Sequence, residues 1–267
     1  MSTAKPPRAE HAEDPLWNTM RLHAEKVYDA EVALRPPIKE WVLDHHDFRH
    51  ALAARLASRF SPHDRHDGRM RGVIEEAALA DPTVAASARR DLEAILERDP
   101  ACDSLLTPFL WFKGYHAVTG QRVAHHFWKQ DRRQLAFWLQ SVMSVMLGTD
   151  IHPAARIGSG VLLDHATGFV VGETALIEDD VSILHEVTLG GTGKARGDRH
   201  PKVRRGVLIG AGAKLLGNIE IGVGAKIGAG SVVLRDVPPH TSVAGVPAVI
   251  VGKAAFDNPA MYMDHSI

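Results

Sequence analysis

At 267 residues the chain is long enough for two modest domains or one large one, and its formal net charge of −1 gives no electrostatic case for binding nucleic acid or a membrane surface. A single cysteine, Cys102, excludes an intramolecular disulfide and fits a reducing compartment, so a cytoplasmic location is expected. No apolar run approaches the roughly 20 residues of a membrane span, and residues 1–13 are polar, so neither a membrane segment nor a secretory signal is expected.

From about residue 14 to 147 the sequence is rich in Ala, Leu, Arg and Glu and poor in Gly, which favours helix. Trp17, Met20, Ala24 and Val27 recur at helical spacing, as do Leu52, Leu56 and Phe60. Pro36-Pro37, Pro62, Asp81-Pro82 and Asp99-Pro100 punctuate the run, and Asp81 reads as an N-cap with Pro82 at the first helical position. His46 and His50 fall one helical turn apart. With no third ligand evident, they and His125-His126 are expected on solvated faces, and no metal is assigned. Phe109, Trp111 and Phe112 are expected in helical core. A last helix over 132–147 should stop at Gly148. Residues 1–149 are thus predicted as a helical domain that caps the open end of a second, repetitive domain.

From Ile151 onward the pattern changes to a beat of six. Ile151, Ile157 and Leu163 keep it, then Val171, Ile177, Ile183 and Leu189, then Ile209, Leu215, Ile221, Ile227 and Val233. A step of six advances about 240° around an α-helix, which would scatter these aliphatics over its surface. Three six-residue edges closing a triangle put each of them at an inner corner instead, the hexapeptide-repeat parallel β-helix. The predicted architecture is therefore α+β, with a helical domain followed by this β-helix over 150–253 and a flexible tail over 254–267.

The beat slips twice. Two extra residues fall within 164–170, and about eight are inserted within 195–202. Insertions in a solenoid form loops on one face, and such loops often carry binding. Both contain His beside or near an acidic residue, the pairing that base-catalysed group transfer needs. His165 suits a general base, because an unperturbed imidazole has a pKa of about 6.5, suited to taking a hydroxyl proton. Asp150, about one coil away, suits the acceptor of its other ring N–H. Arg199 suits a bidentate carboxylate clamp. Gly190-Gly191-Thr192-Gly193 offers backbone N–H groups with little side chain in the way.

The segments Asp150-Ile151-His152-Pro153, Leu163-Asp164-His165-Ala166-Thr167-Gly168, Gly190-Gly191-Thr192-Gly193-Lys194 and Gly197-Asp198-Arg199-His200-Pro201-Lys202 resemble bacterial serine O-acetyltransferase. So do Arg98-Asp99-Pro100 and Lys113-Gly114-Tyr115-His116 in the helical half, and the likeness runs from about Asp81 to Lys253. The resemblance implies transfer of acetyl from acetyl-CoA to L-serine in cysteine biosynthesis, with feedback inhibition by L-cysteine and no permanently bound cofactor. It implies His165 and Asp150 as the catalytic pair, with His200 as a helper or second base. Asp99 and Asp164 would hold the amino group of serine or cysteine, and Arg199 and His200 the carboxylate. Gly191, Thr192, Ala211, Lys226 and Ala229 would line the acetyl-CoA path. It also implies a left-handed coil, a homotrimer or dimer of trimers, and docking of O-acetylserine sulfhydrylase on the tail through Ile267.

Other readings remain. A hexapeptide acetyltransferase acting on a sugar or another hydroxyl acceptor explains the solenoid and His165 but not the amino-acid ligands. A zinc enzyme built on the same solenoid needs three converging His, and the spacing of His152, His165, His185 and His200 does not match that pattern. A purely structural partner of the sulfhydrylase leaves the Asp150, His165 and His200 set without a purpose.

Overall fold

The computed structural model describes residues 14–61, 68–193 and 196–266. The helical half comprises α1 (Pro15–Ala30), α2 (Arg35–Ile38), α3 (Phe48–Phe60), α4 (Arg69–Ala80), α5 (Pro82–Arg98), α6 (Leu106–Trp111), α7 (Lys113–Lys129) and α8 (Arg133–Leu147). The periodic residues behave as their spacing predicts. Trp17, Met20 and Ala24 are buried on α1, and Leu52, Leu56 and Phe60 on α3. The Asp81 side chain accepts from Thr83 N and caps α5 with Pro82 in its first turn, and α8 ends at Gly148 in the left-handed region.

Three details of the helical half differ from expectation. Pro36 and Pro37 do not break the chain but sit in the opening turn of α2, where a missing N–H costs nothing, and the helix continues into a wider turn over Lys39–Leu43. His46 lies ahead of α3 rather than on it, with its carbonyl accepting from Trp17 Nε1, and His50 Nδ1 pairs with Asp47 at 2.8 Å, but both side chains are solvent-exposed as expected. His125 and His126 are not solvated. His125 Nδ1 bonds the Pro153 carbonyl at 2.8 Å, tying α7 to the solenoid, and His126 is buried near Asp81.

From Asp150 the chain winds as parallel strands, each in register with the strand one coil on. The first face stacks Asp150–Ile151, Val170–Val171, Thr188–Gly190, Lys214–Leu216 and Val232–Val233. The second stacks Arg156–Ile157, Leu176–Ile177, Lys202–Val203 and Glu220–Ile221. The third stacks Leu162–Leu163, Ser182–Ile183, Leu208–Ile209 and Lys226–Ile227, and ends in the hairpin Thr241–Gly245 with Ala248–Lys253. The second residue of nearly every strand is the beat residue. Ile183, Leu189, Val203, Ile209, Leu215 and Ile221 are fully buried, each contributing about 1.5–3 kcal/mol by removal from water. These columns fix the register, because a slip of one residue would turn every aliphatic outward.

The helical domain grips the first coils through buried charge. Arg122 on α7 forms a buried ion pair with Asp91 on α5 and donates to the Gly158 carbonyl, while Asp91 Oδ1 accepts from Val161 N at 2.9 Å. Arg98, with no exposed side-chain surface, donates to the Gly160 carbonyl at 2.9 Å and meets Asp180 at 3.3 Å. Gly114 lets α7 touch the third face, since a Cβ there would overlap the Leu163 carbonyl oxygen.

After the hairpin, residues 254–266 do not form the unpatterned tail expected. They fold back over the third face as a short helix, α9 (Pro259–Tyr262), whose Ala260 is fully buried and whose carbonyl accepts from Ser182 Oγ at 2.8 Å. The slip from the beat hid this, because the anchor is one Ala and backbone groups. Ile267 lies outside the described residues. No described helix is long and apolar enough to cross a membrane.

Removing one partner of the buried Arg122–Asp91 pair should cost far more than removing a surface pair. Arg122→Met leaves Asp91 buried without a cation and should lower unfolding free energy by about 3–5 kcal/mol. Arg133→Met, which loses the exposed pair with Asp131 and the guanidinium's place over the Trp128 ring, should cost about 1 kcal/mol. Urea unfolding of both variants measures the difference. Equal losses would mean that the buried pair does not anchor the domains.

Candidate active site

The corners of the solenoid sort the expected residues into two groups. The residue two places after each beat residue falls at a turn, so the corner between the third and first faces carries His165, His185, Ala211 and Ala229 in consecutive coils. The corner between the first and second faces likewise carries Glu173 and Gly191, with the inserted Arg199 and His200 beside them.

The two-residue slip builds the first group. Asp164 N still joins the ladder, donating to the Ile183 carbonyl at 2.8 Å. The backbone then doubles back, with Ala166 N reaching the Asp164 carbonyl, Thr167 N reaching the His165 carbonyl at 2.8 Å, and His165 and Ala166 at φ of 55° and 60°. This left-handed turn is costly for residues with a Cβ, and such strain tends to sit at functional positions. It throws the His165 ring outward, with 72% of its side chain exposed.

His165, Asp164 and Asp99 line one cavity of about 350 Å³, together with Trp111, Phe112, Lys113 and Gly114. Asp99 arrives as the C-cap of α5, its Oδ1 accepting from Ala101 N at 2.9 Å, and the neighbouring Arg98 fixes that point of the helical domain to the solenoid. The expected turn role and the expected ligand position of Asp99 therefore coexist. Trp111, expected in the core, is 46% exposed and forms a cavity wall. It stands edge-on to Trp41, with the buried Arg55 guanidinium over the Trp41 ring at 4.3 Å. Phe109 alone of that aromatic cluster is fully buried.

The expected His165–Asp150 bond is absent. Asp150 Oδ1 accepts from Gln140 Nε2 of α8 at 2.6 Å. The carboxylate that faces His165 is Asp164, with Oδ2 3.6 Å from Nε2. The cause is positional: Asp150 starts the first face opposite Val170, whereas His165 stands before the corner that leads to that face.

At the other corner, Arg199 is held by Glu173 at 2.7 Å, and this bond keeps the Glu173 carboxyl below its ordinary range. His200 is 7% exposed, stacked on Gly172, where a Cβ would overlap the imidazole. Its Nδ1 accepts from Thr174 N at 3.1 Å, and Thr174 Oγ1 lies 2.9 Å away. An acceptor Nδ1 leaves the ring proton on Nε2. Burial, reinforced by the Arg199 charge, pushes the imidazole below its ordinary pKa and favours this neutral form. His200 thus presents an N–H, which suits the expected helper at a carboxylate better than the alternative of a second base. A Cβ at Gly191 would lie 3.5 Å from His200 Nε2, so the glycine run borders this group, with Thr192 exposed beside it.

Of the expected acetyl-CoA residues, Ala211 and Ala229 lie in the His165 column, whereas Gly191 and Thr192 lie at the other corner. Lys226 does not stand free on the wall. It is 4% exposed, donates to the Ser266 carbonyl and sits 3.8 Å from Asp264 Oδ2, because it faces outward beneath the returning tail. The sequence pointed to none of Glu173, Thr174 and Gln140, and it placed Trp111 in the core and His185 only among discarded zinc candidates. Glu173 was the most discoverable, since it follows the strand Val170–Val171 by two residues, the offset that places His165.

Two family models match the chain: serine acetyltransferase, N-terminal, over residues 16–120, and bacterial transferase hexapeptide (six repeats) over residues 200–235. The serine acetyltransferase of Escherichia coli K12 is 55% identical over 93% of this chain and 91% of its own. A crystal structure of serine acetyltransferase from Vibrio cholerae has a TM-score of 0.92 at 52% identity, covering 94% of this chain and 97% of that one. A serine acetyltransferase from Brucella abortus in complex with coenzyme A has a TM-score of 0.88 at 48% identity, covering 91% and 97%. A serine acetyltransferase in complex with cysteine has a TM-score of 0.91 at 47% identity, covering 94% and 98%. On this identity over nearly its whole length, the chain belongs to the serine acetyltransferase family.

Proposed function

We propose that the chain transfers acetyl from acetyl-CoA to L-serine, giving O-acetyl-L-serine and CoA, with His165 as the general base. The observation that carries this assignment of residues is the cavity where the exposed imidazole of His165 meets Asp164 and Asp99, one carboxylate from each domain. Two carboxylates suit an ammonium group, and the imidazole beside them suits the hydroxyl of the same small molecule. His165 takes the hydroxyl proton as the serine oxygen attacks the thioester carbonyl. Collapse of the adduct expels the CoA thiolate, which recovers the proton from the imidazolium. Backbone N–H groups of Gly191 and Thr192 suit the developing oxyanion. Asp150, whose Oδ1 accepts from Gln140 Nε2, does not bond His165 in the present arrangement, and Asp164 is the carboxylate nearest the ring, at 3.6 Å.

The carboxylate ligands Arg199 and His200 stand one full face away from His165 in the same chain, roughly 15–20 Å at about 3.3 Å per residue. A single serine cannot span that gap. The site is therefore completed between neighbouring chains, the His165 corner of one against the Arg199 corner of the next. This favours the trimer, or dimer of trimers joined by helical domains; the left-handed coil belongs to the same proposal through the family resemblance alone. Acetyl-CoA would run down the seam past Ala211 and Ala229, where small side chains allow close approach. Its phosphates reach Lys226 only if residues 264–266 lift from it. A cytoplasmic location suits the reaction. Docking of O-acetylserine sulfhydrylase on the C-terminal residues, Ile267 above all, is part of the same proposal, and calorimetric titration with a chain lacking Ile267 tests it.

Two substitutions examine the chemistry. In folded, assembled protein, His165→Ala should lower kcat by roughly 10²–10⁴, the usual worth of a general base, with acetyl-CoA binding little changed. Asp150→Asn should cost less, because the imidazole and Asp164 remain. Thiol-release kinetics measure both, and near-normal turnover of His165→Ala would remove it from the mechanism.

L-Cysteine differs from serine only by sulfur for oxygen, so the same carboxylate and ammonium ligands hold it. It should inhibit competitively with serine, and Arg199→Ala should weaken serine and cysteine together. Loss of serine affinity with cysteine inhibition intact would require a separate inhibitor site.

A further inference from the structure

His165 lacks what a base on a solvent-facing turn needs, a contact that fixes its ring plane. Among the described residues neither of its ring nitrogens makes a hydrogen bond, and the Asp164 carboxylate at 3.6 Å is beyond one. The side chain that closes on the ring comes from the next coil. Leu163 pairs with Ile183, so His165 and His185 occupy equivalent places at one corner. Their ring centroids are 5.7 Å apart with an interplanar angle of 79°, an edge-to-face arrangement.

His185 is well held. Its carbonyl accepts from Gly212 N at 2.9 Å, and the adjoining Glu186 N donates to the Thr167 carbonyl at 2.7 Å, which ties the two turns together. Its Nδ1 is buried with no hydrogen-bond partner among the described residues. A buried ring nitrogen without a partner is costly. The fold accepts that cost where the ring lies against His165 rather than turning the nitrogen to water.

We propose that His185 is a positioning residue for His165, holding the imidazole by edge-to-face contact in the plane from which it reaches the serine hydroxyl. The proposal rests on the reading of His165 as the base. It assigns His185 no proton and no contact with serine or acetyl-CoA. Holding a reacting group in orientation acts on kcat, because misplacement of about 1 Å can cost up to 10²-fold.

Steady-state kinetics on the assembled protein test it. His185→Ala should lower kcat about tenfold or more, with KM for serine and for acetyl-CoA within about twofold. His185→Phe, which restores a ring but no nitrogen, should recover most of that loss. If His185→Ala does not assemble, His185→Gln, which keeps bulk and polarity without a ring, carries the same expectation. A residue that acts through His165 should also have nothing left to act on in its absence, so adding His185→Ala to His165→Ala should cause no further loss.

Unchanged kcat in His185→Ala would overturn the proposal. So would a rise in KM for acetyl-CoA alone, which would make His185 a ligand contact, or an equal loss with and without His165. An inactive His165→Ala beside a fully active His185→Ala sinks only this inference. An active His165→Ala removes the base and the positioning role with it.

Discussion

Everything in the candidate site depends on the aliphatic side chain that each six-residue edge turns into the core of the coil. Ile183, Ile209 and Leu215 have no exposure, and strands one coil apart pair in register. That constraint decides which residues reach the surface at each turn. The residue two places after a buried aliphatic stands at a corner, and corners repeat coil after coil. His165, His185, Ala211 and Ala229 form one column for this reason, and Glu173 and Gly191 belong to another. The slip after Leu163 keeps Leu163 and Val171 inside by putting its two extra residues into a left-handed turn at His165 and Ala166. An insertion that preserves the core has only the corner in which to go, so the exposed imidazole is a consequence of the packing.

The second dependence is on the helical domain. Asp99 belongs to the cavity only because α5 and α7 are fastened to the first coils. The fasteners are charged and buried: Arg122 with Asp91, and Arg98 with Asp180. Such pairs add little net stability compared with apolar packing, but a single geometry satisfies all their bonds. Placing a carboxylate of one domain beside the imidazole of another needs that kind of specificity. The close approach at Gly114 serves the same end, bringing Lys113 and Trp111 to the cavity rim.

The sequence carried the architecture because the beat of six and the helical spacings are one-dimensional signals of burial. His165 and Arg199 were legible because both sit where the beat fails. Other features depend on contacts that spacing does not encode. The Asp150–Gln140 bond depends on where α8 ends relative to the first strand, and no local pattern marks it. The tautomer of His200 depends on Thr174, 26 residues earlier, which meets it only because the insertion folds across a corner. Lys226 reads as an exposed cation until the tail covers it, and the tail is anchored by backbone carbonyls that every residue possesses.

The central claim is that a working site needs two corners from two chains. Co-assembly of two defective variants tests it most directly. Chains carrying His165→Ala and chains carrying Arg199→Ala are unfolded together, refolded as an equal mixture and assayed at serine well below its KM. Neighbouring chains then pair an intact His165 corner with an intact Arg199 corner in about one quarter of the seams, since closed symmetric assemblies repeat one interface. The account predicts recovery of roughly that fraction of wild-type activity, where each variant refolded alone has almost none. Activity no greater than the mean of the two separate variants would contradict it, and would place the whole site within a single chain.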